Sequence, residues 1–218
     1  MKQVSPSILA SDMLNLGNEI KKIENSGAKY VHIDIMDGCF VPNISFGMPI
    51  ISAVRKCTDL VLDVHAMIVQ PQRYIEEFIK CGADIVTFHI EASNDEDIRA
   101  SIDLIKSLGK KVGLSIKPKT PAEAVIPYVN DIDMVLVMTV EPGYGGQKLI
   151  PETIEKVRKL KAEIEKRGLN VEIQVDGGVN SENAPVLAEA GATILVAGSS
   201  VFGAEDRSAA INALRSNA

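Results

Sequence analysis

Apolar positions along this chain follow two alternating rhythms. Short runs such as Tyr30–Ile35, Ile85–His89 and Ile194–Gly198 are rich in β-branched and other apolar residues, as expected of strands buried on both faces. Between such runs lie longer stretches with apolar residues three or four positions apart. Met13, Leu16, Ile20 and Ile23 form one helical stripe, opening after the capping candidates Ser11 and Asp12 and ending at Gly27. Ile154, Val157, Leu160 and Ile164 form another, with Pro151 near its first turn and Gly168 past its end. A short motif marks three helix-to-strand junctions: Ser26-Gly27-Ala28, Cys81-Gly82-Ala83 and Ala190-Gly191-Ala192, each leading into an apolar run. Glycine suits the left-handed position just beyond a helix end. The spacings of 55 and 109 residues between these glycines correspond to about two and about four βα units.

Completing the pattern predicts eight strands, near Val4–Leu9, Tyr30–Ile35, Val61–His65, Ile85–His89, Val112–Ile116, Met134–Thr139, Val171–Asp176 and Ile194–Gly198. Strict β–α alternation implies a parallel sheet. Eight units in 218 residues fit a closed α/β (β/α)8 TIM barrel at the compact end of its size range, with a doubly wound open sheet as the alternative. No linker or low-complexity segment interrupts the pattern, so residues 1–218 read as one domain.

Several strands carry polar residues on the face that should point into the barrel. In the second, His32, Asp34 and Met36 alternate with Val31, Ile33 and Ile35; in the third, Asp63, His65 and Met67 alternate with Leu62, Val64 and Ala66. In the seventh, Glu172, Gln174 and Asp176 alternate with Val171, Ile173 and Val175. The apolar set should face the helices and the polar set the interior, toward the C-terminal rim where such barrels carry their sites. Unpaired carboxylates there are costly, and a bound cation removes the difficulty. His32, Asp34, His65 and Asp176 supply two imidazoles and two carboxylates, a donor set suited to one divalent ion such as Zn2+, Fe2+, Mn2+ or Co2+. Asp63 could orient one of these ligands or cap a loop. His89 and Glu91 read as hydrogen-bonding groups at the end of the fourth strand.

Glycines cluster after the last three strands: Gly143-Tyr144-Gly145-Gly146, Gly177-Gly178 after Asp176, and Gly198 before Ser199. Each could serve only a tight turn. Together, at successive strand ends, they suggest a phosphate cradle, because backbone N–H groups can approach phosphate oxygens with no Cβ in the way. The loop at Gly143–Gly146 could also act as a lid.

Charge and composition narrow the partners. A net charge of −6 and the absence of any Lys/Arg run argue against nucleic acid. No apolar run approaches the roughly 20 residues needed to cross a membrane. Cys39, Cys57 and Cys81 form no paired motif, and the N-terminus lacks a secretory h-region, so a reducing cytoplasm is expected.

The chain resembles the ribulose-phosphate 3-epimerase family along nearly its whole length. The resemblance is carried by Ser5-Pro-Ser-Ile-Leu9, His32-Ile-Asp-Ile-Met-Asp-Gly38, Phe40-Val-Pro-Asn43, Asp63-Val-His65 with Met67, Met138-Thr-Val-Glu-Pro-Gly-Tyr-Gly-Gly-Gln147, Val175-Asp-Gly-Gly-Val-Asn180 and Ala197-Gly-Ser199. It implies a homo-oligomeric, metal-dependent enzyme that epimerises C3 of D-ribulose 5-phosphate to give D-xylulose 5-phosphate. On that resemblance, His32, Asp34, His65 and Asp176 correspond to metal ligands, and Asp34 and Asp176 to the catalytic acid/base pair. Ser7, His65, Gly143, Tyr144, Gly145, Gly146, Gly177, Gly178, Gly198 and Ser199 correspond to substrate-contacting positions. Met36, Met67 and Met138 correspond to methionines lining the pocket. Ala66 stands where Leu is usual, and Gln174 where Glu is common. A D-allulose 6-phosphate 3-epimerase and a catalytically silent sugar-phosphate-binding barrel are the alternatives.

Overall fold

The computed structural model describes residues 2–216; Met1, Asn217 and Ala218, which the expected domain of residues 1–218 includes, lie outside the described residues. Among the described residues there are eight strands: β1 (Gln3–Pro6), β2 (Tyr30–Met36), β3 (Val61–Met67), β4 (Ile85–His89), β5 (Lys111–Ile116), β6 (Met134–Met138), β7 (Glu172–Asp176) and β8 (Ile194–Ala197). All pair in parallel, in the order β1-β8-β7-β6-β5-β4-β3-β2. Between β1 and β2 the ladder is reduced to one bridge, Ser7 to His32, so the barrel is nearly closed. This is the TIM barrel that the alternating pattern predicts.

The outer layer comprises α1 (Leu16–Asn25), α2 (Met48–Cys57), α3 (Ile75–Lys80), α4 (Asp95–Ser107), α5 (Ile154–Lys166), α6 (Ala184–Ala190), α7 (Ser199–Phe202) and α8 (Arg207–Ser216). Ile20 and Ile23 of α1, and Val157, Leu160 and Ile164 of α5, are buried as their spacing requires. Met13 is not: it sits in a 3-10 turn ahead of α1, capped by the Asp12 side chain, and stays 42 % exposed. Gly27, Gly82 and Gly191 all have positive φ at helix ends, as the repeat predicts.

Two further expectations need correction. β1 does not run to Leu9. It ends at Pro6, and Ser7 then caps a 3-10 turn, its Oγ accepting the N–H of Leu9 at 3.3 Å. Strict β–α alternation also fails between β5 and β6, where the chain makes only the 3-10 turns Ala122–Ala124 and Ile126–Tyr128. Pro121 and Pro127 deny this segment the amides a regular helix needs.

Val31, Ile33, Leu62, Val64, Ile173 and Val175 face the helices and join the main apolar cluster, as does Ala66. Inside the barrel, Ile85, Met134 and Ile194 close the lower end, with Tyr30 and Val61 against them. Above this plug the interior turns polar: Ser5, Asp63 and Gln174, from β1, β3 and β7, meet across the axis. Gly113 of β5 is required here, because a Cβ on it would lie 2.1 Å from Thr87 Oγ1.

Candidate active site

The upper third of the barrel brings the four expected ligands together. One donor atom from each of His32, Asp34, His65 and Asp176 lies within 4.8 Å of the others. His32 Nε2 is 3.2 Å from Asp34 Oδ1 and 3.7 Å from Asp176 Oδ2, and His65 Nδ1 is 3.3 and 3.5 Å from the same two oxygens. Four ligands about 2.0–2.2 Å from a common tetrahedral centre would sit roughly 3.3–3.6 Å apart, so the spacing fits one ion. Orientation fits as well. His32 Nε2 is fully buried yet makes no hydrogen bond of acceptable geometry, so no group of the protein satisfies it and it is available to an ion in the cluster.

Each ligand is held from behind. His32 Nδ1 lies 2.8 Å from Asp63 Oδ2, which also accepts from Ser5 Oγ at 3.0 Å and Gln174 Nε2 at 2.6 Å. Asp63 therefore orients His32 and does not cap a loop. Asp34 Oδ2 accepts from Ser7 Oγ at 2.5 Å, and its backbone carbonyl receives the Ser45 hydroxyl. Thr139 clamps the end of β7: its N–H and Oγ1 donate to the carbonyl of Asp176 at 2.7 and 2.9 Å, and Oγ1 also reaches the carbonyl of Gly177 at 2.6 Å. His65 Nε2 contacts His89 Nε2 at 3.0 Å, and His89 Nδ1 contacts Glu91 Oε2 at 3.1 Å.

Electrostatics within the cluster are polarised. Burial pushes the His32 imidazole down, but Asp34 and Asp63 beside it win and hold it well above its usual range. Burial likewise works against charge on Asp34, and the neighbouring His32 and His65 hold it far below the usual carboxylate range. Farther out the balance reverses. Burial takes His89 down to about 4 despite its bond to Glu91. Glu91, although burial raises it, is held at about 2 by His89, Thr120 and the N–H of Lys117. Near neutral pH, His89 is thus neutral and Glu91 ionised.

A cavity of about 320 Å³ opens above this centre. Asp34 and Asp176 form its polar floor, and Met36, Met67 and Met138 form an apolar wall. Ser7, Gly143, Tyr144, Gly145, Gly146, Gly177, Gly178, Gly198 and Ser199 all line it. His32 and His65 do not, being fully buried beneath the floor, so the geometry gives no support to the expected contact between His65 and substrate.

The glycines serve close approach as well as access. Gly178 has φ +68°, and a Cβ there would lie 2.4 Å from the backbone nitrogen of Leu149. The loop at Gly143–Gly146 is pinned across the cavity mouth: Tyr144 Oη donates to the carbonyl of Pro42 at 2.5 Å, and Asn43 Nδ2 to that of Gly143 at 2.8 Å.

Sequence reasoning missed Ser5, Ser45 and Thr139 as supports. Ser5 is a polar residue of β1 two positions before Ser7, a signal of the same period-2 kind that exposed the ligands. Nothing in the sequence indicated that Ser45 or Thr139 would reach a ligand backbone.

Fold and site together define a (β/α)8 barrel with a two-histidine, two-carboxylate candidate metal centre under a glycine-lined cavity at the C-terminal ends of its strands. The sequence profile of the Ribulose-phosphate 3 epimerase family matches residues 3–202. The ribulose-phosphate 3-epimerase of Bacillus subtilis is 50 % identical over 216 residues, covering 99 % of each chain. The chloroplastic ribulose-5-phosphate-3-epimerase of Arabidopsis thaliana is 44 % identical over 214 residues, covering 98 % of this chain and 76 % of that one. Among solved structures, a ligand complex of KGPDC from Streptococcus mutans superposes with a TM-score of 0.76 at 13 % identity, covering 99 % of this chain and 96 % of the other. The 3-hexulose-6-phosphate synthase from Salmonella typhimurium gives 0.73 at 18 %, covering 100 % and 98 %; these two likenesses are of fold alone. The chain belongs to the ribulose-phosphate 3-epimerase family.

Proposed function

We propose that residues 1–218 act as one catalytic domain that interconverts D-ribulose 5-phosphate and D-xylulose 5-phosphate. The observation that carries this reading is the meeting of Asp34 and Asp176, from two strands that are not neighbours, at one point on the floor of a cavity with glycine turns at its rim. The two sugars differ only at C3, which is acidified by the adjacent C2 carbonyl. Interconversion removes the C3 proton from one face and returns a proton to the other. Asp34 and Asp176 can serve the two faces, one ionised to take the proton and the other protonated to give one, and each turnover exchanges their states. A positioned acid/base of this kind contributes about 10²- to 10⁴-fold.

His32, Asp34, His65 and Asp176 would hold a divalent cation, Zn2+, Fe2+, Mn2+ or Co2+. When bound, it would supply positive charge where negative charge develops on the sugar oxygens, an effect of several kcal/mol. Ser7, 2.5 Å from Asp34 Oδ2, fixes the orientation of that carboxylate. The methionines exclude water without offering a competing proton. Backbone N–H groups around Gly177, Gly178, Gly198 and Ser199, with the loop at Gly143–Gly146, would take the phosphate.

Assembly into a homo-oligomer is part of this reading; Leu14 and Ile44, 95 % and 75 % exposed, are apolar surface that such a contact would cover. So is a reducing compartment such as the cytoplasm, in keeping with Cys39, Cys57 and Cys81, none of which is in a disulfide. Among the described residues no helix is long and apolar enough to cross a membrane.

The test is conversion of D-ribulose 5-phosphate by metal-loaded protein in deuterated water, with a chelated control. Fast, metal-dependent conversion with deuterium entering C3 is expected, and Asp34→Asn and Asp176→Asn should each lower the rate by at least about 10²-fold. Near-normal turnover in either variant would sink the two-base scheme. A faster reaction with D-allulose 6-phosphate would move the substrate to the hexose branch.

A further inference from the structure

A neutral imidazole binds a metal only through the nitrogen that carries no hydrogen, and which nitrogen that is depends on what the other one touches. For His65 the other nitrogen, Nε2, touches neither a carboxylate nor a backbone carbonyl. It faces His89 Nε2 at 3.0 Å. Two imidazole nitrogens at that distance bond only when one carries the hydrogen and the other a lone pair, so the pair has a direction. The direction is set from farther out. His89 Nδ1 lies 3.1 Å from Glu91 Oε2, while Glu91 Oε1 receives the N–H of Lys117 at 2.7 Å and the hydroxyl of Thr120 at 2.5 Å. Two donors on one oxygen, with His89 against the other, hold this carboxyl at about 2, so it is ionised near neutral pH and has no hydrogen to give. The hydrogen between Glu91 and His89 therefore sits on His89 Nδ1. His89 Nε2 is then a lone pair, His65 Nε2 must supply the next hydrogen, and His65 Nδ1 is left bare, facing Asp34 and Asp176.

We infer that Glu91, acting through His89, fixes the tautomer of His65 and so prepares its Nδ1 to bind the cation. The inference rests on the reading of His65 as a metal ligand. His89 and Glu91 are positioning residues, and neither lines the cavity. The surroundings bury the two imidazoles and hold the relay in place. Phe40 covers the His89 ring at a centroid distance of 4.9 Å, and the Lys117 ammonium lies 3.6 Å from the Phe40 centroid on the ring's face. Lys156 of α5 donates to the carbonyls of Lys117 and Thr120 at 2.8 and 2.5 Å, holding the loop that grips Glu91.

Polarity, and not mere contact, is the point, and Glu91→Gln tests it. With its carbonyl kept by Lys117 and Thr120, the new amide would turn its NH2 toward His89 Nδ1. Every hydrogen along the chain would then reverse, and His65 Nδ1 would carry one. Zn2+ affinity, measured on the full chain by competition with a chelator, should fall by about 10- to 100-fold. The second measurement needs no variant. The chain has three histidines, so the ring-nitrogen NMR spectrum of metal-free, ¹⁵N-histidine-labelled wild type, recorded above the imidazole titration range, can be assigned. Hydrogens on Nε2 of His65 and Nδ1 of His89 are expected. A hydrogen on His65 Nδ1, or unchanged Zn2+ affinity in Glu91→Gln, would overturn the relay. If the wild type bound no Zn2+, the metal reading would fall, and the spectrum would still decide the relay.

Discussion

His32 and His65 each turn one ring nitrogen toward the same two carboxylates, yet they are held by opposite means. His32 leans directly on Asp63, a carboxylate with no exposure, on which three donors converge at one oxygen, Oδ2. His65 is steered at one remove, through His89, by a carboxylate that divides its partners between two oxygens and belongs to the barrel's rim. The first arm is part of the core, made by β1, β3 and β7. The second depends on the loop after β5, which is held by a lysine from α5. A ligand anchored in the core should fail together with the fold. One anchored in a loop can be detuned while the fold stands.

Asp63→Ala should give the largest effect. It would leave the His32 Nδ1–H, the Ser5 hydroxyl and the Gln174 amide facing a dry gap. Breaking a buried charged contact of this kind costs about 3–5 kcal/mol. A clear drop in melting temperature is expected, with Zn2+ affinity reduced by roughly 100-fold or more in chelator competition. A variant that melts like wild type would show that this arm is not structural, and the contrast with Glu91 would collapse.

The same contrast has a pH signature. In metal-free protein, His32 is held well above its usual range and His65 is also raised, in each case against burial. A group with a raised folded-state pKa adds stability that is complete below about 6.5 and is lost as pH climbs through the folded value. Asp34, depressed by the same partners, contributes in the opposite sense: its share is present above the usual carboxylate range and fails only in strong acid. Metal-free protein should therefore lose melting temperature on the alkaline side of neutrality. Zn2+ affinity should rise over the same range as the protons it must displace leave. Melting curves across pH with and without Zn2+ check this, and a metal-free protein that gains stability with rising pH would refute it.

How much of this was legible in the sequence follows from the same division. Polar residues at period 2 inside otherwise apolar strands pointed to His32, Asp34, His65 and Asp176, because strand geometry alone decides which side chains face inward. The barrel followed from counting βα units, and it brought Asp176 to the other three. The relay was not legible. His89 and Glu91 looked like ordinary hydrogen-bonding groups at a strand end, and the residues that give Glu91 its direction, Lys117 and Thr120, belong to a loop with no pattern of its own. Gln174 was legible as an inward polar residue and as a departure, but its role depends on a contact 111 residues away in sequence, to Asp63. The missing helix between β5 and β6 goes with Pro121 and Pro127, which the regular alternation on either side does not reveal.

The smallest effect separates direction from strength. Thr120→Val removes one donor from Glu91 Oε1 and leaves the N–H of Lys117 in place. Glu91 still accepts at both oxygens, so no hydrogen in the relay changes position. A hydrogen bond to a charged group is worth about 1.5–3 kcal/mol net, and much of that falls on the loop itself and not on the metal centre. Zn2+ affinity should change by about threefold or less, and the ring-nitrogen spectrum should match wild type. If Thr120→Val instead weakened Zn2+ binding as much as Glu91→Gln, the placement of the loop would be what holds His65 ready. The second arm would then differ from the first only in distance, and not in kind.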